Sequence, residues 1–309
     1  MVRHFLTLSD LRESELRGLL RQAARMKRTR TAAAHALTGK TVALVFQKPS
    51  MRTRVAFEVA VLQLGGSVVY LGQEDIQLGQ REPIKDVARV LSRYVDGIVV
   101  RTFAHRDAEE FAAHARCPVI NGLSDFVHPC QALADLFTIE EHFGRLKGVR
   151  LAYVGDGNNV LHSLLDGCAM AGVRVTVATP AAYRPDPAVW RMATRQARAH
   201  GATVAWTADP RDAVRGAEVI YTDVWVSMGQ ERQRAQRLKA FRGYQLNRAL
   251  LRDAAPTCRI MHCLPAHRGE EITDEVMESS RSLILEQAEN RLHVQKALLM
   301  MLLGRNGSR

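Results

Sequence analysis

Short runs rich in valine, isoleucine and leucine alternate with longer amphipathic segments along most of the 309-residue chain, and this alternation limits its fold more than any other feature. Brief apolar runs bounded by turn residues, each followed by ten or so residues with a helical period, mark parallel strands joined by crossover helices. The pattern predicts an α/β protein. In the first half, strands are expected at Thr41–Phe46, Ser67–Leu71, Gly97–Arg101 and Pro118–Asn121, with helices near Arg54–Leu64, Ile84–Tyr94, Arg106–His114 and Pro129–Phe143. Gly144-Arg145-Leu146-Lys147-Gly148 then breaks the helical period and the plan repeats. Its strands are expected at Val149–Val154, Val173–Ala178, Thr203–Thr207, Val219–Thr222 and Arg259–Cys263, its helices near Val160–Ala171, Asp186–His200 and Arg211–Arg215. A last helix is expected at about Glu289–Leu303. The expectation is two doubly wound parallel-sheet domains, residues 1–143 and 144–288, with residues 289–309 packing back on the first and the active site in the cleft between the two.

Composition narrows the function classes. Lys plus Arg outnumber Asp plus Glu by 43 to 32, a formal charge of +11, yet the arginines are scattered through amphipathic segments among acidic residues. The densest group, Arg25 to Arg30, closes a helical pattern, where cations complement the helix dipole, so no nucleic-acid partner is expected. No apolar run approaches the roughly 20 residues of a spanning helix, and no membrane partner is expected. The first ten residues lack the apolar core of a secretory signal, and the five widely spaced cysteines form no Cys-x-x-Cys pair. Together these predict a cytoplasmic protein with free thiols.

In open parallel sheets ligands bind beyond the carboxyl ends of strands, so polar clusters that follow apolar runs carry the functional argument. Ser50-Met51-Arg52-Thr53-Arg54 lies between a strand and a helix. The N–H groups of a helix start, two hydroxyls and two guanidiniums make an anion-selective pocket suited to phosphate; a plain Ser50 cap with solvated arginines is the simpler reading. Arg101 closes the apolar run Ile98-Val99-Val100, where a charge is costly to bury without an anion or carbonyl beside it. His128-Pro129-Cys130-Gln131 opens a helix and puts two hydrogen-bond donors, His128 and Gln131, on one face.

Gly155-Asp156-Gly157-Asn158-Asn159 matches a dinucleotide fingerprint only superficially. Val160 stands where the third glycine belongs and the next strand ends without an acidic residue, so no nicotinamide cofactor is expected. Asn158 and Asn159 instead offer amides to the charged groups of an amino acid. Within Asp223-Val224-Trp225-Val226-Ser227-Met228-Gly229, Asp223 and Ser227 form a candidate ammonium and carboxylate clamp on a mobile loop. The run Met261 to Glu271 contains metal-capable side chains, but His262, Cys263, His267 and Glu270 follow no zinc spacing and Pro265 interrupts them, so no metal is expected.

Taken in order, Ser50-Met51-Arg52-Thr53-Arg54, His128-Pro129-Cys130-Gln131, Asp223-x-x-x-Ser227-Met228-Gly229 and His262-Cys263-Leu264-Pro265 resemble the motifs of the aspartate and ornithine carbamoyltransferase family, on its ornithine side. The resemblance covers essentially the whole chain, including Glu289-Asn290-Arg291. It implies a homotrimer, or a multiple of trimers, that moves the carbamoyl group of carbamoyl phosphate to the δ-amine of L-ornithine. The products would be L-citrulline and phosphate, in arginine biosynthesis, with no cofactor and no metal. Putrescine or an acylated ornithine as acceptor, or a catalytically silent RNA-binding homologue, are the alternatives. Residue by residue, the resemblance implies that Ser50, Met51, Arg52, Thr53 and Arg54 hold the phosphate and that Arg101, His128 and Gln131 face the carbamoyl oxygen. Arg291 would add charge, and Gln77 would reach in from the neighbouring subunit. Cys263 and Leu264 would face the reacting centre. Asn159, Asp223, Ser227 and Met228 would hold the amino and carboxylate groups of ornithine, Met228 through its backbone. Arg101, His128 and Cys263 are thus the expected catalytic residues. Met51 stands where the family commonly has threonine, which removes a hydroxyl but keeps the backbone N–H.

Overall fold

β-Branched and leucine side chains fill both faces of the central strands, as a parallel sheet covered by helices on each side requires. The computed structural model describes residues 2–29, 31–79 and 81–304. It divides into one unit of Met1–Phe137 with Glu289–Arg309 and another of Thr138–Ala288. The first unit contains α1 (Glu13–Arg28), β1 (Thr41–Phe46), α2 (Met51–Gln63), β2 (Ser67–Leu71), α3 (Gln73–Ile76), α4 (Ile84–Leu91), β3 (Gly97–Arg101), α5 (His105–His114), β4 (Val119–Leu123) and the start of α6 (Pro129–Phe143). Its four strands are parallel in the order β2-β1-β3-β4. The winding reverses between β1 and β3, and Phe46 and Arg101 lie in register at the ends of these two strands. The loops at that switch point therefore open side by side, the position where doubly wound sheets bind ligands. Phe5 covers the outer edge of β4 through backbone bonds to Val119 and Asn121, both 2.8 Å, which hides an edge otherwise open to pairing.

The second unit holds β5 (Arg150–Val154), α7 (Asn159–Ala171), β6 (Arg174–Ala178), α8 (Pro187–Ala199), β7 (Val204–Thr207), α9 (Pro210–Val214), β8 (Val219–Thr222), α10 (Arg234–Ala240), β9 (Arg259–His262) and α11 (Asp274–Met277); α12 (Ile284–Leu303) then runs on into residues of the first unit. Five parallel strands lie in the order β7-β6-β5-β8-β9. Here the switch point is between β5 and β8, where the Thr222 hydroxyl donates to the Val154 carbonyl at 2.6 Å. The core over β5, β8 and β9 joins Val154, Ile220 and Ile260 to Trp225 and Phe241, the two rings stacked 5.7 Å apart.

The expected α/β class, two parallel-sheet domains, is the one observed. Differences are at element ends and in four helices for which no range was expected, α1, α3, α10 and α11. β4 runs two residues past Asn121, α4 stops at Leu91 rather than Tyr94, and α12 begins at Ile284, where the Ser282 hydroxyl accepts the first N–H at 3.4 Å. No helix among the described residues is long and apolar enough to cross a membrane.

Candidate active site

In the first unit the Ser50-Met51-Arg52-Thr53-Arg54 segment forms the first turn of α2. Ser50 has extended backbone, is the N-cap, and accepts the Thr53 N–H at 3.3 Å. The cap and the anion-pocket readings are compatible, because one hydroxyl satisfies one N–H and the rest of the turn still carries the positive end of the helix dipole. Thr53 is buried, and its hydroxyl accepts from Arg291 at 3.2 Å. Arg291 also donates to Gln131 Oε1 at 2.6 Å, and Gln131 Nε2 donates to buried Asp135 at 2.8 Å. Thr53, Arg291, Gln131 and Asp135 thus form one buried polar chain across α2, α12 and α6.

Arg101, at the end of β3, and His128, just before α6, are also buried. Burial is the first cause, and the charges of Arg291, Arg101 and Arg52 the next, that hold the His128 imidazole well below its usual pKa. His128 is therefore neutral at pH 7 and surrounded by guanidiniums, an arrangement that donates a hydrogen bond without adding a cation. Lys48 belongs to the same surroundings. It is buried, lies 4.4 Å over the Phe103 ring, and has a pKa lowered by burial and then by Arg101. Sequence reasoning missed Lys48, although it follows a strand by two residues and the same strand-end argument applies to it.

In the second unit the polar residues meet at the ends of β5, β8 and β9. Asp223 is buried; its Oδ2 accepts from the Asn158 amide at 2.7 Å and its Oδ1 from the Cys263 thiol at 2.9 Å. Asn158 is also the N-cap of α7, accepting from Val160 and Leu161. Gly157 lies under the chain at Tyr183 to Pro185, where a Cβ would come within 2.4 Å of backbone atoms, so its role is close approach rather than cofactor binding. Asp156 pairs with Arg237 at 2.8 Å, both nearly buried, and Arg237 also donates to the Trp225 carbonyl at 2.9 Å. Burial raises Asp156 to about 6 against the opposing pull of Arg237. This anchors the loop that carries Ser227 and Met228. Leu264, at φ 59°, donates its N–H to His262 Nδ1 at 2.8 Å, which turns the chain directly after Cys263.

The other predicted residues are placed as follows. Arg54 turns to Glu58 at 2.9 Å and stacks 3.6 Å over Tyr70. Gln77 is exposed in a left-handed conformation after α3. Met51 and Met228 are exposed, and Ser227 bonds through its backbone to Gln230. Asn159 is the first residue of α7, half-buried, while its neighbour Asn158 holds Asp223. Cys117, Cys130, Cys168 and Cys258 are buried, and burial raises Cys117 to about 11 and Cys130 and Cys258 to about 12.

Comparison with known proteins matches both parts of the chain. Residues 3–141 fit the family model described as aspartate/ornithine carbamoyltransferase, carbamoyl-P binding domain, and residues 147–302 the one described as Asp/Orn binding domain. An ornithine carbamoyltransferase of Acidothermus cellulolyticus is 56% identical over 310 residues, 100% of this chain and 99% of that protein. An anabolic ornithine carbamoyltransferase of Pyrococcus furiosus is 55% identical over 268 residues, 87% of this chain and 84% of that one. The solved ornithine carbamoyltransferase from Pyrococcus furiosus superposes with a TM-score of 0.95 at 50% identity, covering 99% of this chain and 98% of its own.

Proposed function

Because the chain belongs to the aspartate/ornithine carbamoyltransferase family, we propose that it transfers the carbamoyl group of carbamoyl phosphate to the δ-amine of L-ornithine, giving L-citrulline and phosphate. The observation that carries this reading is buried Arg291 bonded to Thr53 in the first turn of α2 and to Gln131, with Arg101 and His128 also buried at the end of β3 and the start of α6. Two buried guanidiniums are costly unless an anion joins them, and a phosphate at a helix start is a fitting one.

The amine nitrogen attacks the carbamoyl carbon, a tetrahedral intermediate places charge on the carbonyl oxygen, and the C–O bond to phosphate breaks. Arg101 and His128 donate to that oxygen, and Gln131, held by Asp135 and Arg291, lies in the same network. Such fixed donors stabilise charge that develops only in the transition state. Ser50, Arg52 and Thr53 hold the departing phosphate with the N–H groups of α2, Met51 contributing its backbone and Arg54 swinging from Glu58 when the anion arrives. Phosphate takes the proton that the amine loses. On the acceptor side, Asp223 and Cys263 orient the amino acid with Leu264, while Asn159, Ser227 and Met228 hold its charged ends. The 2.9 Å thiol-to-carboxylate bond and the Asn158 bracing of Asp223 support this division.

The proposed assembly is a homotrimer in the cytoplasm, with Gln77 reaching the phosphate of a neighbouring copy, working in the biosynthetic direction. Val55 and Leu62 on α2 and Val69 on the edge strand β2 are exposed apolar side chains in the first unit. The anabolic Pyrococcus furiosus relative supports the direction. Initial rates with ornithine, putrescine, aspartate and N-acetylornithine, each paired with carbamoyl phosphate, test the reading. Ornithine is expected to be the preferred acceptor, with citrulline and phosphate formed one to one; a faster rate with any of the other three contradicts it.

A further inference from the structure

The chain after Pro265 folds back on itself within five residues. The His267 N–H donates to Glu271 Oε1 at 2.6 Å, the Glu270 N–H to the His267 carbonyl at 2.9 Å, and the Gly269 N–H to the Ile272 carbonyl at 2.9 Å. This turn brings one ligand atom each of His267, Glu270 and Glu271 within 4.8 Å of one another. His267 Nδ1, Glu270 Oε2 and Glu271 Oε2 are all buried atoms, and none has a hydrogen-bond partner among the described residues. Glu271 is fully buried. The other oxygen of each carboxylate is already committed, that of Glu270 to Arg234 and that of Glu271 to His262 Nε2 at 3.1 Å as well as to the His267 N–H. Each carboxylate is therefore anchored by one oxygen and presents the second. The two ionised carboxylate oxygens only accept, and His267 Nδ1 lies 3.8 Å from Glu270 Oε2, beyond hydrogen-bond reach, so a cation placed among the three atoms satisfies them together.

We infer that His267 Nδ1, Glu270 Oε2 and Glu271 Oε2 bind one divalent transition-metal ion of the zinc class, with water completing its coordination. One imidazole and two carboxylates suit such an ion. Bonds of about 2.0–2.2 Å place tetrahedral ligand atoms roughly 3.3–3.6 Å apart, so on binding the 3.8 Å between His267 Nδ1 and Glu270 Oε2 closes by a few tenths of an ångström and the other pairs, within 4.8 Å, by about 1.5 Å at most. Two carboxylates against Arg234 leave one net negative charge at the site. The neighbouring group Asp223, His262 and Cys263 also has ligand atoms within 4.8 Å. It is the poorer site, because the Cys263 thiol is donated to Asp223 and both His262 nitrogens are engaged, by the Leu264 N–H and by Glu271.

The test uses full-length protein stripped with a chelator and dialysed against cobalt(II), in wild type and in Cys263→Ser, where no thiolate can ligate. The expected result is one ion per chain in both, with no thiolate-to-cobalt charge-transfer absorption. His267→Ala and Glu270→Gln, at partly exposed positions, are expected to weaken binding by roughly 100-fold. Absence of a stoichiometric ion, its loss in Cys263→Ser, or its retention at full affinity in both His267→Ala and Glu270→Gln overturns the assignment.

Discussion

At His128, burial and three neighbouring guanidiniums act in the same direction, and both disfavour the imidazolium. The folded state therefore resists a proton that the unfolded chain accepts near the ordinary histidine value of about 6.5. Below that pH the unfolded state binds more protons, so stability is complete above it and is lost as pH falls toward the depressed folded value, by up to about 1.4 kcal/mol per pH unit for one proton. Denaturant midpoints at pH 7, 6 and 5 should fall less steeply in His128→Gln than in wild type; parallel slopes would count against a buried neutral imidazole. Lys48 is expected to strengthen the same positive surroundings, and Lys48→Met should lower kcat/KM for carbamoyl phosphate by roughly 10²–10³-fold, the scale of one lost charged donor. The positions of Arg101, His128 and Gln131 in the fold were readable from sequence because strand ends and helix starts fix where such side chains emerge. Lys48 was not, since a lone lysine after a strand is ordinarily solvated, whereas the hydroxyl and arginine residues after Pro49 mark a helix start. Asp135 sits four residues after Gln131 on one helix, a spacing the sequence shows, but the link onward to Arg291 on a distant helix becomes visible only in three dimensions.

Among the elements, α2 has a double duty, since its N-cap is also part of the proposed phosphate cradle. Ser50→Ala should cost about 1 kcal/mol of stability and raise KM for carbamoyl phosphate, measured by thermal melting and initial rates; a change in melting alone would assign Ser50 to capping only. In the second unit, α10 carries Arg237 to Asp156. Removing one partner of a buried pair costs about 3–5 kcal/mol because a charge remains behind. Arg237→Met should lose that much, and Asp156→Leu with Arg237→Met should recover most of it, a cycle readable in urea unfolding. Strands were legible because β-branched runs mark them. Short α3, α10 and α11 were not, since four to seven largely polar residues show no period and are held by tertiary bonds such as Arg237 to the Trp225 carbonyl.

For the whole molecule, the repeat of strand and helix was enough to assign two parallel sheets, because parallel pairing leaves few alternatives once crossovers are present. Chain-distant bonds were out of reach: nothing near Arg291 in sequence points to Thr53. Sedimentation equilibrium is expected to give three times 34.4 kDa, or a multiple of that trimer, and a single-chain mass would remove the proposed contribution of Gln77. The proposed catalysis rests on guanidiniums gathered around one anion driving carbamoyl transfer. Citrulline formation by wild type, Arg52→Ala and Arg101→Ala under saturating ornithine tests it most directly. Each variant should keep the wild-type circular dichroism spectrum and lose roughly 10³-fold or more in kcat/KM for carbamoyl phosphate; a folded variant of either kind with near-normal kinetics would contradict it.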